Sequence, residues 1–339
     1  MNSNYFFSLV CKNDVLYWMT RDAGELCSMD IVTGKCEKIE TDSDIVGKKI
    51  YSAVLQADGK NIYGIGESGK YFWRYDDINK RCEEFEIGCN SCAIDLFAYA
   101  KLIEEIIVII NRLNKTIVWI DKESGSVVRV QECGESAYNV LLDESCEEMI
   151  VFDSLTGEIS SVRKNGIYNK KIDEDLKHII SVVKHAGRKF YLKNDGWLYV
   201  YDEAGLINRI NLGEGYVNIV KSKEYIWAIP WGKQAILKLN FDVEINDVIS
   251  YPDGVEWAER IMDKELQRNN VKILELVDKI FFSTFGCNQI LCIDKNSDKL
   301  DFKYKLDLGN RNHEDNCAVY KEVTSRALNE FLGYISSGE

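Results

Sequence analysis

Apolar and polar positions along this chain of 339 residues fall into short, strand-length runs that recur at a spacing of roughly 40 residues. Leu16 to Ile39, LYWMTRDAGELCSMDIVTGKCEKI, shows the unit: an apolar strand, a Gly turn, a strand ending in Asp, a second Gly turn and a strand. Aligning the units on that Asp gives Asp30, Asp76, Asp121, Arg163, Asp202, Asn240 and Asp294. An Asx side chain at a strand end accepts backbone N–H bonds two residues on, and a later Gly supplies positive φ. Gly34, Gly125, Gly166 and Gly205 stand at that place.

Each unit reads as four strands, for example YSAVLQAD, NIYGIGE, KYFWRYDD and CEEFEIG between Tyr51 and Gly88. The second strands, among them VLYWMT, EIIVII and YIWAIP, are apolar almost throughout, which fits strands covered on both faces by neighbouring sheets. The third strands are expected to alternate more clearly, being nearer an edge. A unit with two apolar faces cannot bury them alone, so the repeat predicts an all-β, seven-bladed β-propeller of four-stranded antiparallel blades. The blades fall near 4–40, 50–88, 93–133, 136–173, 178–213, 215–254 and 271–309 of a propeller domain spanning 1–312. Blade 1 has all four of its own strands, so the ring is expected to close by packing blade 7 on blade 1, without a shared strand. Six or eight blades stay open if one unit is miscounted.

Two segments leave the repeat. PDGVEWAERIMDKELQRNN places Val255, Ala258, Met262 and Leu266 at helical spacing and predicts an inserted helix over 255–268, either an outer loop or a lid beside the channel. Tyr320, Val323, Ala327, Phe331 and Tyr334 form one apolar stripe and predict a C-terminal amphipathic helix within 313–339, docked on the ring or on another protein.

The units resemble the repeats of the quinoprotein-like and YVTN (lactonase-like) propellers, whose pattern runs G-x-L-Y-x-x-D-x-x-T-G. GELCSMDIVTG and GWLYVYDEAG match it best. The resemblance implies the fold. Quinoprotein dehydrogenases hold a quinone with calcium, and no cofactor is carried over, because no residues here supply that site.

Composition narrows the function. Formal net charge is −13, with no Lys/Arg stripe, which argues against nucleic acid and against an anionic membrane surface. No stretch approaches the roughly 20 apolar residues of a membrane span. The first residues lack a basic signal-peptide region, and the 11 cysteines form no disulfide framework, so a cytoplasmic protein with reduced thiols is expected. Cys89 and Cys92 make a lone C-x-x-C with Cys133 as the one plausible nearby third ligand, too few for zinc, and no metal site is assigned. His185 lies in a hairpin tip and is expected to be solvated. His178 begins a first strand beside the channel mouth. No catalytic residue is assigned, since no P-loop, Rossmann fingerprint or G-x-S-x-G is present.

What remains is the face carrying the turns between second and third strands. Arg21, Glu67, Arg112, Asp153, Lys193, Trp231 and Phe285 end second strands or begin those turns, Tyr51, Tyr138 and Tyr216 start first strands beside them, and Trp257 lies on the inserted segment. Mixed charge with Tyr, Trp and Arg is typical of recognition surfaces. Trp231, after Pro230, is expected either to stack on a ligand or to wedge between blades. The reading favoured is a non-catalytic scaffold for a protein or peptide partner, of undetermined oligomeric state. The alternative is a lactonase- or lyase-like enzyme, or a carbohydrate-binding module, with a small ligand in the channel mouth.

Overall fold

The computed structural model describes residues 6–20, 25–42, 52–66, 71–87, 99–111, 116–132, 139–141, 149–153, 156–172, 177–253, 255, 273–282 and 289–305. They form seven four-stranded antiparallel sheets, each paired strictly in sequence order. The blades span 6–38, 52–86, 99–132, 139–172, 179–211, 216–249 and 273–305. Apart from Val255, the inserted helix (255–268) and the C-terminal helix (313–339) lie outside the described residues, as do Cys89, Cys92 and Cys133. No helix among the described residues is long and apolar enough to cross a membrane.

First strands of successive blades lie beside one another and so surround the axis, while fourth strands form the outer edge. Burial follows this radial order. The second strands of blades 2 and 6, Asn61–Gly66 and Ile226–Pro230, are buried at every position. The fourth strands of blades 3, 5 and 6 are mostly exposed. Third strands differ from the expectation in part: those of blades 2 and 5 mix buried and half-buried positions. Leu26–Asp30, Thr116–Asp121 and Gln289–Asp294 are buried at all but the last residue. A third strand still lies between two neighbouring sheets, and only the fourth meets water on its outer side.

Seven apolar clusters hold the ring, one at each junction. At the closure Leu16, Trp18 and Met29 of blade 1 pack against Phe281, Ile290 and Cys292 of blade 7, with no strand exchanged. Trp18, Trp73, Trp119 and Trp227 are the largest fully buried side chains among the described residues, and each supplies the area that two flat sheets need between them.

The turns of the repeat have the expected chemistry. Asp30 Oδ1 accepts the N–H groups of Val32 and Thr33 at 3.0 and 2.6 Å, Asp76, Asp121, Asp202 and Asp294 accept the equivalent pairs, and Asn240 Oδ1 accepts the N–H groups of Asp242 and Glu244. In blade 4, where Arg163 replaces the Asx, the turn closes directly on Gly166, at φ 138°.

Candidate binding face

Two faces of the ring differ in what their side chains are doing. The hairpin face carries the turns between first and second strands and between third and fourth strands. On it, the third-to-fourth turn of one blade reaches back to the first hairpin of the blade before. Lys12 of blade 1, 1% exposed in its side chain, donates to Asp77 of blade 2 and to the Lys60 carbonyl, and the Tyr17 hydroxyl donates to Asp77 at 3.0 Å. Lys122 of blade 3 donates to Asp58 of blade 2 at 3.1 Å. Lys164 pairs with Glu104, Arg188 with Asp242 at 2.9 Å, and the Ser222 hydroxyl donates to Asp298. Among the described residues the same clasp therefore recurs at five junctions.

Electrostatics on this face serve the clasps. Burial would push the Asp58 carboxyl up, but bonds from the Asn61 N–H, the Tyr63 hydroxyl, the Lys60 N–H and the Lys122 ammonium outweigh it and hold the group at about 2. His185 is not simply solvated: its ring stacks on Phe241 of the next blade, centroids 3.6 Å apart and 4° from parallel. Burial, then Lys221 and Arg188, push its pKa down.

The loop face carries the second-to-third turns and the blade-to-blade loops. Three segments of blades 5 and 6 interlock there. Gly196, in the turn after Lys193, accepts the Leu212 N–H at 2.9 Å, and Gly215 accepts the Trp231 N–H at 2.9 Å. Gly196 is buried at φ 83°, and a Cβ on it would lie 2.2 Å from the Gly213 carbonyl oxygen, so only glycine lets the turn and the loop meet. Lys193, Asp195, Glu214, Trp231, Lys233 and Gln234 are left half-buried or exposed on this locked surface.

Of the residues singled out in the sequence, Arg21, Tyr51, Glu67, Arg112, Tyr138, Trp257 and Phe285 lie outside the described residues. Asp153 is buried at 5% exposure, and its Oδ1 accepts the Thr156 N–H at 3.1 Å, so it shapes the turn. Tyr216 is buried as well. Its hydroxyl donates to the Ala235 carbonyl at 2.8 Å, tying the first strand of blade 6 to its second-to-third turn, and burial raises its pKa. Lys193 is half-buried, with Nζ 4.9 Å from the centre of the Tyr199 ring. Trp231 is half-buried and packs against the blade 6–7 cluster while keeping one side at the surface. Pro230, last in its strand, directs it there. His178 is exposed, at φ 64°, and its carbonyl accepts the Asn194 N–H at 2.9 Å.

Sequence reasoning missed Trp197, Tyr199 and Arg209. Trp197 and Tyr199 stand on one side of the third strand of blade 5, ring centres 6.4 Å apart, and the Arg209 guanidinium lies 5.0 Å from the Trp197 ring. The signal was present in WLYVYD, where aromatic and aliphatic residues alternate at the strand period. Among the described residues no group of three His, Cys, Asp or Glu side chains could hold a metal ion.

No family model matches this sequence, and no curated protein matches it. Solved structures do resemble it. A streptogramin B lyase aligns at TM-score 0.59 and 11% identity, over 89% of this chain and 95% of that one. BamB from Moraxella catarrhalis aligns at 0.51 and 14%, over 91% and 85%. A chain of a mitotic checkpoint complex aligns at 0.56 and 9%, over 89% and 87%. At such identities the likeness shows the fold alone, a β-propeller. Its bearers include a lyase and a chain of a mitotic checkpoint complex.

Proposed function

We propose that this propeller is a non-catalytic scaffold that binds a protein or peptide partner through its loop face. The observation that carries the reading is the interlocked surface of blades 5 and 6, where Trp231 and Lys193 are presented by loops pinned to one another at Gly196 and Gly215. Association orders loops and side chains at a cost, and a surface already ordered avoids much of it. The division of labour between the faces supports the same choice: hairpin-face ions are engaged between blades, whereas Trp231, Lys233 and Gln234 are not buried. We assign Arg21, Tyr51, Glu67, Arg112, Tyr138, Trp257 and Phe285 to the same rim, and Asp153 and Tyr216 to its support.

We place the protein in the cytoplasm, without metal or cofactor; among the described residues Cys11, Cys27, Cys36, Cys82 and Cys292 form no disulfide, as a reducing compartment would keep them. Affinity capture from the native cell with wild-type protein and with Trp231→Ala, matched by circular dichroism, tests the reading. A stoichiometric partner held by wild type and lost by the variant is expected. Identical captures with both proteins would sink it and turn attention to a small ligand near His178, the lyase-like or sugar-binding alternative.

A further inference from the structure

The first hairpin of blade 5 ends in a cluster of basic residues. Ala186 and Gly187, at φ 48° and 79°, form a two-residue turn, so His185 and Arg188 stand directly opposite each other, and Lys184 and Lys189 form the next pair. Like charges at opposed positions destabilise a hairpin. Lys184 and Lys189 repel in this way, and Arg188 and His185 do so once the imidazole is protonated, in a chain of net charge −13.

Blade 6 completes the cluster. The half-buried His185 ring lies flat on Phe241, and Arg188 Nη1 donates to the Phe241 carbonyl at 3.2 Å and to Asp242 at 2.9 Å. Lys221, from the first strand of blade 6, donates to the Lys184 carbonyl at 3.2 Å. These contacts leave donors over. Among the described residues Arg188 bonds through Nη1 alone, the Lys221 ammonium through one of its N–H groups, and neither imidazole nitrogen of His185 has a partner. Stacking engages the face of the imidazole and leaves its nitrogen-bearing edge open. The carboxylates of the neighbouring turns are Asp242, already on Arg188, Glu244, held by Asn240 Nδ2 at 2.9 Å, and Glu224, exposed at the tip of the next hairpin. Lys184, Lys189 and Lys223 stand exposed around them, with no ion pair among the described residues.

We propose that His185, Arg188 and Lys221 form a binding site for a phosphate monoester dianion, free or carried on a serine of a partner protein. The site lies on the hairpin face and does not rest on the loop-face reading. Asp242 offsets only one of the two fixed cations. A dianion with three acceptor oxygens can take N–H groups from the guanidinium, the ammonium and the imidazole together. A polymer of phosphates would bring its charge against the whole acidic molecule, whereas a single phosphate meets the local field within a Debye length of about 8 Å. Binding and protonation are then linked. In the free protein, burial and the charges of Lys221 and Arg188 push the imidazole pKa down. A bound dianion opposes that field, so the site should take up a proton as it fills.

The test is the Cε1–H resonance of His185 in NMR spectra of the full chain, assigned by its loss in His185→Gln and followed from pH 5 to pH 8.5 at constant ionic strength. The probes are inorganic phosphate, a Gly/Ser heptapeptide with one phosphoserine, and the same peptide unphosphorylated. Expected is a saturable change in the His185 signal, its titration midpoint raised by about half a pH unit, while His178 stays still. Arg188→Gln and Lys221→Gln, each matched to wild type by circular dichroism, should weaken binding about tenfold. A response to phosphate and phosphopeptide alike supports a site for the phosphate itself; a response to the phosphopeptide alone supports a phosphorylated partner. No saturable change with either phosphorylated probe, an equal change with the unphosphorylated peptide, or equal affinity in wild type and both variants overturns the proposal. The first two outcomes are read on wild-type protein, whether or not a variant folds.

Discussion

Asp58 gives the sharpest test of the clasps. Its carboxylate takes hydrogen bonds from the Tyr63 hydroxyl at 2.7 Å, the Asn61 N–H at 2.7 Å, the Lys60 N–H at 2.8 Å and Lys122 at 3.1 Å, and so joins blade 2 to blade 3. A carboxyl held at about 2 instead of the ordinary 3.8 would contribute up to ~2.5 kcal/mol. Asp58 is partly open to solvent, and screening reduces this to about 1 kcal/mol. Because the folded pKa is depressed, the contribution is complete above the unfolded value near 4 and is lost as pH falls through 4 towards 2. Asp58→Asn should therefore lower the urea midpoint clearly at pH 7, and the gap between variant and wild type should shrink steadily below pH 4. Subtracting the variant cancels the other depressed carboxylates, Asp30, Asp76, Asp121 and Asp294. A gap that stays constant from pH 7 to pH 2.5 would refute an ionic clasp and leave only the shape of the turn.

Three further outcomes follow from the same geometry. Asp77→Asn leaves the Lys12 ammonium buried without a carboxylate and should cost ~3 kcal/mol in chemical denaturation, whereas Lys12→Met with Asp77→Leu should recover most of that loss. Gly196→Ala drives a Cβ into the Gly213 carbonyl at positive φ; the thermal midpoint should fall by several degrees, and Trp231 fluorescence should report a displaced loop. Burial pushes the Cys27 and Cys292 thiols up to about 12, so iodoacetamide at pH 8 should leave both unlabelled until the protein unfolds.

The blades were legible in the sequence because their signals are local. An Asx residue at a strand end fixes its own turn, as Asp30 and Asp294 do, and a run such as NIYGIG declares that both its faces are covered. Site assignment needed what the pattern does not contain. Asp153 and Tyr216 stand at the loop face in the sequence register, yet one folds back on the Thr156 N–H and the other on the Ala235 carbonyl; which backbone group a polar side chain finds depends on the turn's shape. The alternation of WLYVYD was readable, but its partner Arg209 lies on the next strand, aligned opposite Tyr199 only by the hairpin register.

Hydrogen–deuterium exchange of the complex captured from the native cell tests the central claim most directly. The account predicts slowed exchange at 193–199, 209–216 and 230–235, with the hairpin-face turns at 30–34, 76–80 and 294–298 unchanged. Protection confined to those turns, with the loop face as free as in the isolated protein, would contradict it.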